Sequence, residues 1–441
     1  MRRVLALAYH FPPIGGAGVQ RSVKMVRYLP EGGWDPVVVT GPGTAAGRWT
    51  PLDGALDAEL PADLEVRRVP GPPPPASAGW RRRAERWLQL PPAWSRWWQW
   101  GAVAEGLRVE GPLGAIYASM APFESGAAAA ELARRLGCPW VADLRDPWAL
   151  DEMAVYPSAI HRRRALRAMG SLLARADAVV MNTPEAMELV LRHLPGVAAD
   201  RVTVIPNGFD ADDFAGDEPA RADGVLRIVH TGYLHTDLGR RTRRRAAADR
   251  LLRGGASRVD ILTRSHVFLV RALNLLAERA PSVASRIELH LAGVLSDADR
   301  QVAEGCAVTV RMPGYLPHDE SIALLRSADL LFLPMHDLPP GRRSSIVPGK
   351  TYEYLASGRP ILAAVPPGDA RDLLRRAGAL VCAPSDSGAM ADAIEGEARR
   401  GVQGPRRSDP DPNLLAGYER RHLARRLASV LDAVAEGRRV R

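Results

Sequence analysis

The chain has 441 residues, of which 46% are hydrophobic and 25% are charged. This length fits two domains that each bury a core, and this composition excludes a disordered or fibrous protein. The net charge of +9 comes from arginine, since Lys24 and Lys350 are the only lysines, and because no motif that reads DNA or RNA accompanies it, we do not expect nucleic acid as a partner.

Short apolar runs alternate with helical patterns along the first half of the chain. The predicted strands are 4–9, 36–40, 64–69, 115–119, 140–144, 178–182 and 202–206. The predicted helices include 18–30, 124–136, 158–175 and 184–194. This alternation is typical of a parallel sheet with helices on both faces, so residues 1–209 are predicted to form one doubly wound, Rossmann-like domain.

The alternation restarts after a polar stretch that follows IPNGFDADDF. The predicted strands are 226–232, 287–293, 308–312, 329–334, 360–365 and 379–383, and the predicted helices are 266–280, 297–304, 319–327, 350–357 and 386–400. Residues 210–412 are thus predicted to form a second Rossmann-like domain, and the helical stretch 413–437, within the tail 413–441, is expected to cross back to the first. The predicted fold class is α/β, with two such domains facing a cleft and with ligands at the carboxyl ends of the strands.

Cysteine use and apolar run lengths bear on the compartment. The three cysteines lie far apart without paired spacing, which predicts a reducing, cytoplasmic setting. The ten histidines are dispersed, so no metal site is expected. No apolar run approaches the roughly 18 residues of a membrane span, so any contact with the inner face of the cell membrane is expected to be peripheral.

Two segments interrupt the alternation. Residues 71–100 hold six of the ten tryptophans among arginines and prolines. They form either a flap packed on the first domain or a surface, from Trp80 to Trp100, that contacts a membrane or a lipid-linked acceptor. Residues 239–255 carry an arginine run, for which we expect a solvated loop rather than a loop that grips phosphate.

The loop HFPPIGGAGVQR leads from the first strand into a helix. Its glycines allow close backbone approach, and amide groups at a helix start favour an anion. A nicotinamide cofactor is disfavoured, because Arg21 stands where the third glycine of the dinucleotide fingerprint belongs. Gly15, Gly16 and Gly18 are predicted to lie near a diphosphate or an acceptor group, and a tight turn without a ligand is the alternative.

Two polar stretches follow predicted strands or loops. VADLRDPWAL places Asp143, Arg145 and Asp146 where a central strand ends, pointing into the cleft, either to form a salt bridge or to bind hydroxyls and handle protons. In SSIVPGKTYEYLASGRPILA, amides at the helix start stabilise phosphate, and Lys350 adds a charge beside it. Glu353 is placed to accept hydrogen bonds from a diol such as ribose, unless the two residues merely pair on an exposed helix.

Four segments together resemble the retaining glycosyltransferases of family 4, which have the GT-B fold. They are FPPIGGAGVQR, VADLRDPW, VTVIPNGFD and PGKTYEYLASGRPILA. The resemblance implies transfer of a hexosyl group from a nucleotide diphosphate sugar to a glycan or lipid-linked acceptor, in polysaccharide or glycolipid synthesis. It further implies retention at the anomeric carbon and no metal or cofactor. The second domain would hold the nucleotide and the first domain the acceptor.

The resemblance also assigns roles to residues around the second stretch. Glu353 matches the second of two family glutamates, which binds the ribose. Ser345 stands in place of the first glutamate, whose contact with the donor sugar would pass to backbone amides around Val347, Pro348 and Gly349.

Basic residues for the pyrophosphate are expected within or after the arginine run. Arg264 is the first choice and Arg240 the second, and Gly232, at the end of the preceding strand, joins the donor-binding residues. Arg145 and Asp146 stand where relatives often have His-Asp, so that histidine contact is absent. Arg145, Asp146 and Arg264 are assigned to catalysis, in which the leaving diphosphate itself takes the acceptor's proton.

Two other functions fit the same scaffold. A sugar-nucleotide epimerase needs no acceptor, and the tryptophan-rich segment argues against it. A non-catalytic, membrane-associated homologue is favoured by the serine at position 345 alone.

Overall fold

The computed structural model describes residues 1–44, 51–216, 224–253, 259–400 and 411–440, apart from the side chains of Ala17 and of 245–253. The chain divides into two compact units. Unit 1 comprises Met1–Gly208 and Tyr418–Arg441, and unit 2 comprises Phe209–Gly417. Each unit is built on its own parallel sheet.

Unit 1 has seven strands in the order β3-β2-β1-β4-β5-β6-β7. They are β1 Arg2–Ala8, β2 Trp34–Thr40, β3 Glu65–Arg68, β4 Leu113–Ser119, β5 Trp140–Leu144, β6 Ala178–Met181 and β7 Val202–Val204. The central strands are almost continuously apolar because both faces of the sheet are covered. Along β1, Val4 and Ala6 enter one core while Leu5 and Leu7 enter the other.

Unit 2 has six strands in the order β10-β9-β8-β11-β12-β13. They are β8 Leu226–Thr231, β9 Ile287–Ala292, β10 Thr309–Gly314, β11 Leu330–Pro334, β12 Ile361–Ala364 and β13 Leu380–Cys382. The strand order reverses between β1 and β4 in unit 1 and between β8 and β11 in unit 2. Open α/β sheets bind ligands outside the carboxyl ends of the strands at such a reversal. The predicted α/β fold class is confirmed.

Seventeen α-helices accompany the sheets in the described part of the chain. They are α1 Ala17–Tyr28, α2 Gly54–Ala58, α3 Gly79–Leu88, α4 Ala93–Gly106, α5 Glu124–Leu136, α6 Ala159–Leu173, α7 Pro184–His193, α8 Thr236–Arg253, α9 Val267–Arg279, α10 Pro281–Ala284, α11 Asp297–Glu304, α12 His318–Arg326, α13 Lys350–Ala356, α14 Asp369–Arg376, α15 Ser387–Arg400, α16 Pro412–Ala416 and α17 Arg420–Ala435. The last two divide the single helix predicted over 413–437, and α17 packs on α1 within unit 1. None of these helices is both long enough and apolar enough to span a bilayer.

The sequence predicts a loop over 239–255, and this prediction is wrong, because α8 continues to Arg253. Arginine and alanine are strong helix formers, and their preferences add up over a long window. Asp237 lies in the first turn and pairs with Arg241 one turn later. The helix lacks the apolar periodicity from which helices were predicted, since most of its described side chains are exposed.

The tryptophan-rich segment 71–100 combines both alternatives considered for it. Trp98 on α4 is buried and donates its indole N–H to Ser125 at 3.0 Å, so this part packs on unit 1 as a flap. Helix α3 buries none of its residues, and Trp80 and Trp87 are 73% and 60% exposed. The segment therefore presents an apolar surface beside a packed helix.

Candidate functional site

In unit 1, the predicted loop and strand-end residues meet at the carboxyl ends of β1 and β5. Gly16 has a φ of 109°, which favours glycine, and it begins α1 without a side-chain cap. A Cβ on Gly18 would collide with Nη1 of Arg145, so that guanidinium lies against the backbone of α1. The amide of Gly15 is hydrogen-bonded within the unit. The structure thus brings Gly16, Gly18 and Arg145 together.

A buried ion pair lies beneath this loop. Arg21 on α1 donates to both carboxylate oxygens of Asp143 on β5, at 2.8 and 3.0 Å, and Tyr117 donates its hydroxyl to the same carboxylate. Arg21 also donates to the carbonyls of Pro206 at 2.7 Å and of Ile205 at 3.0 Å. Burial lowers the pKa of Arg21, but the Asp143 carboxylate outweighs this effect, and the pKa ends above its ordinary value.

This pair corrects the prediction that Asp143 points into the cleft with its neighbours. Asp143 is 1% exposed and committed to Arg21, so the salt bridge exists with a partner other than Arg145. Arg145 is partly buried and Asp146 is exposed. Burial lowers the pKa of Arg145, although the charges of Asp146 and Asp143 oppose that effect. Arg145 and Asp146 remain candidates for contact with a substrate.

In unit 2, two glycines leave the end of β8 without side chains. Gly232 follows β8 with a φ of +99°, and Gly293 follows β9 with a φ of +140°. A Cβ on Gly293 would lie 2.5 Å from the carbonyl oxygen of Gly232. Glycine is therefore needed where the two backbones pass each other.

Lys350, the first residue of α13, extends its ammonium to the end of β8. It donates to the carbonyl of Thr231 and lies 3.3 Å from Nε2 of His230. Nδ1 of His230 lies 2.9 Å from the carbonyl of Phe332. Since a carbonyl only accepts, Nδ1 carries the proton and Nε2 accepts from Lys350. Burial, and then the charge of Lys350, hold the pKa of His230 well below its ordinary value, so the ring is neutral.

Three more of the predicted donor-binding residues surround Lys350. Burial and then repulsion by Arg264 lower the pKa of Lys350 to about 7, against the attraction of Glu353. A Cβ on Gly232 would lie 2.9 Å from the Lys350 ammonium. Lys350, Arg264, Glu353 and Gly232 therefore converge at the end of β8.

Arg240 lies on α8 and donates to Gln301 of α11 at 3.2 Å. It also stands near His266, whose pKa falls to about 4 chiefly through burial, with repulsion by Arg240 contributing. The hydroxyl of Ser265 accepts from the Val267 amide at 3.3 Å at the start of α9, as the sequence predicts.

The loop before α13 holds the remaining predicted residues. Ser345, Val347 and Pro348 are buried, and Gly349 is partly exposed at the start of the helix. Because α13 has only seven residues, its dipole is weak, and the charges of nearby side chains dominate the local field.

Sequence reasoning missed three residues of these sites. His10 and His230 lie in or next to apolar strands, and Arg21 was noted only as a departure from a glycine pattern. A polar residue at the carboxyl end of an apolar strand is the signal that could have identified both histidines. The sequence holds no signal for the pairing of Arg21, because its partners lie far along the chain.

Comparisons with known proteins agree with this architecture. Residues 15–208 match the family model of the glycosyl transferase 4-like domain, and residues 259–396 match that of the glycosyl transferases group 1. No curated protein matches the chain by sequence.

Several solved structures share the fold. HepE of Anabaena, solved with UDP and glucose, has 16% identity and a TM-score of 0.60, and the match covers 98% of this chain and 100% of HepE. Sucrose-phosphate synthase of Thermosynechococcus elongatus has 16% identity and a TM-score of 0.59, over 99% and 97% of the two chains. Trehalose 6-phosphate synthase of Burkholderia multivorans has 14% identity and a TM-score of 0.60, over 99% and 100%. With the two family matches, which together span most of its length, the chain belongs to the glycosyltransferases of the family 4 type and has their GT-B fold.

Proposed function

We propose that the chain is a retaining glycosyltransferase that moves a hexosyl group from a nucleotide diphosphate sugar to a glycan or lipid-linked acceptor. The observation that carries this proposal is the charge cluster at the end of β8, where Lys350 and Arg264 stand beside the bare backbone of Gly232. Two cations beside such a backbone suit a diphosphate. The UDP in the HepE structure supports a nucleotide sugar as the donor.

Unit 2 is proposed to hold the donor. Lys350 and Arg264 neutralise the diphosphate, with Arg240 as a more distant cation, and Glu353 accepts hydrogen bonds from the ribose hydroxyls. Backbone amides around Val347, Pro348 and Gly349 contact the donor sugar in place of the carboxylate that Ser345 cannot supply.

Unit 1 is proposed to hold the acceptor, at the loop of Gly15, Gly16 and Gly18. Asp146 and Arg145 stand at the end of β5, where they contact the acceptor. As the bond to the donor sugar breaks, the leaving diphosphate collects negative charge, which Lys350 and Arg264 stabilise. Its oxygen then takes the proton of the attacking hydroxyl on the same face of the sugar, which retains the anomeric configuration without a covalent nucleophile or a metal.

The function is tested with a panel of nucleotide sugars. We expect one of them to raise the melting temperature, and nucleoside diphosphate to be released only when an acceptor is added. Proton NMR of the product should show the donor's anomeric configuration, and EDTA should leave the rate unchanged. Release without an acceptor, together with an inverted hydroxyl on the sugar, would instead identify an epimerase, and binding without release would identify a non-catalytic homologue.

Donor affinity should depend on pH through Lys350. Its pKa is about 7 in the ligand-free protein, and only the ammonium attracts a diphosphate. Affinity should therefore be full below pH 7 and should fall roughly tenfold for each pH unit above it, until the higher pKa of the bound state is reached. Calorimetry in buffers of different ionisation enthalpy should show proton uptake of up to one per ligand above pH 7.

Lys350→Met provides the control for this dependence. The variant should bind the same nucleotide sugar more weakly at pH 6 and with nearly flat affinity between pH 6 and 9. An unchanged slope in the variant would assign the titration to another group, such as Glu353 or a group on the ligand.

Helix α3 supports a peripheral contact with an anionic membrane. Trp80 and Trp87 lie seven residues apart, hence on one face, with Leu88 adjacent, and all three are exposed. Four arginines of the same helix are exposed beside them, at 81–83 and 86. Tryptophan suits the headgroup zone, and each arginine near an anionic surface adds about 1 kcal/mol. We propose that this surface brings the enzyme to a lipid-linked acceptor.

Replacing both exposed tryptophans should release the protein from lipid. Trp80→Ala/Trp87→Ala should reduce cosedimentation with phosphatidylglycerol vesicles roughly tenfold or more, since each substitution removes a large apolar group from the interface. Leu275→Ala, at an exposed leucine of unit 2, is the matched control. Equal sedimentation of all three proteins would reject the membrane contact, and deletion of 80–100 is unsuitable because it removes the buried Trp98.

A further inference from the structure

Arg145 has no partner for its charge. Its Nε is buried without a hydrogen bond, and within the described residues its guanidinium makes neither an ion pair nor a hydrogen bond. Its backbone is nonetheless fixed, since its carbonyl accepts from the side chain of Asn182. Asp143, the nearest buried acid, is already engaged by Arg21 and Tyr117. An unpaired, partly buried guanidinium is unfavourable unless an anion completes it.

The start of α1 adds a second donor to the same place. Arg145 lies against Gly18, in the first turn of this 12-residue helix. The helix has no acidic residue in its first turn and no side chain that caps it. Its leading amide groups and the positive end of its dipole therefore face the side of the guanidinium.

His10 supplies a third donor. Its Nδ1 is buried without a hydrogen bond. Burial, and then repulsion by Arg145, lower its pKa to about 4, so the ring is neutral at pH 7 and carries one N–H. A neutral ring beside a cation can donate to an anion without adding a further buried charge.

We infer that Arg145, His10 and the start of α1 form a phosphate-binding subsite in unit 1. Arg145 is thus a binding residue for a phosphate rather than a group that moves protons. The inference deepens the proposed function and rests on it for the origin of the phosphate, which belongs either to the acceptor or to the donor diphosphate. It would give the acceptor domain a preference for phosphate-bearing substrates.

The test follows the ring of His10 by NMR in the full chain labelled with nitrogen-15 histidine. His10→Gln identifies the signal. Inorganic phosphate should shift this signal saturably, and the dissociation constant should increase roughly tenfold or more in Arg145→Gln, because a charge-assisted pair is lost. Arg163→Gln, at an exposed arginine of α6, should bind as the original protein does.

Gly18→Ala probes the geometry without removing the charge. The helix should tolerate alanine, yet the new Cβ displaces Nη1 of Arg145, so phosphate binding should weaken while the melting temperature holds or rises. Unchanged phosphate binding in Arg145→Gln, or a shift equal in all histidine signals, would identify an adventitious ion only and overturn the inference.

A second arm separates the two sources of the phosphate. If the His10 shift persists at saturating nucleoside diphosphate, the subsite serves the acceptor, and if nucleoside diphosphate alone reproduces and saturates it, the subsite serves the donor. The titration is repeated in Glu353→Ala, in which the proposed donor site is impaired. Phosphate binding retained there supports the subsite even if no sugar transfer is found, whereas its loss in Arg145→Gln alone leaves the donor site intact.

Discussion

Glu353→Ala should weaken binding of the nucleoside diphosphate at least roughly 100-fold and leave the fold intact. Two charge-assisted hydrogen bonds to the ribose are removed, each worth about 1.5–3 kcal/mol. The carboxylate also raises the pKa of Lys350, so its removal leaves less of the ammonium at pH 7 and weakens the grip on the diphosphate. Alanine is a strong helix former, and the buried Tyr354 and Leu355 still hold α13 in place. Calorimetric titration with the nucleotide measures the loss.

Two further variants separate these effects. Glu353→Gln keeps one acceptor oxygen but loses the charge, so it should bind with intermediate affinity, and its pH dependence should move to lower pH. Glu304→Ala, at an exposed glutamate that ends α11, should bind normally. Undiminished binding in Glu353→Ala would reject the role of Glu353 on the ribose.

The strands of both sheets could be predicted because covered parallel strands are short apolar runs bounded by polar residues. Helix α8 could not be predicted in this way, since its stability comes from arginine and alanine preferences rather than from an apolar face. The break between α16 and α17 was also missed, because the helical pattern continues in sequence across Gly417 and the backbone ends the helix there.

The two sites differ in how far the sequence predicts them. Lys350 and Glu353 lie on one short helix, so their proximity follows from helix geometry. The approach of Arg264 and His230 to Lys350 depends on the packing of three strand ends, which no local pattern encodes. Asp143 was expected to point outward because it ends a strand, but a cation from α1 made burial more favourable.

The Arg21–Asp143 pair is expected to carry a large share of the stability of unit 1. Arg21→Met should destabilise the unit by about 3–5 kcal/mol, because it leaves a carboxylate buried without its cation. For a unit of this size the loss corresponds to a fall in melting temperature of roughly 6–20 °C. All ten tryptophans lie before residue 149, so tryptophan fluorescence during heating or urea unfolding follows unit 1 selectively.

A second substitution distinguishes loss of the pair from loss of the arginine. In Arg21→Met/Asp143→Leu no charge remains buried, so the double variant should be more stable than Arg21→Met alone, even though Tyr117 loses its acceptor. Arg27→Met on the same helix breaks a partly exposed contact with Glu59 and should lower stability by no more than about 1 kcal/mol. If the two core substitutions were instead additive, Arg21 would act mainly through the carbonyls of Ile205 and Pro206, and the pair would tie α1 to the end of β7 rather than neutralise Asp143.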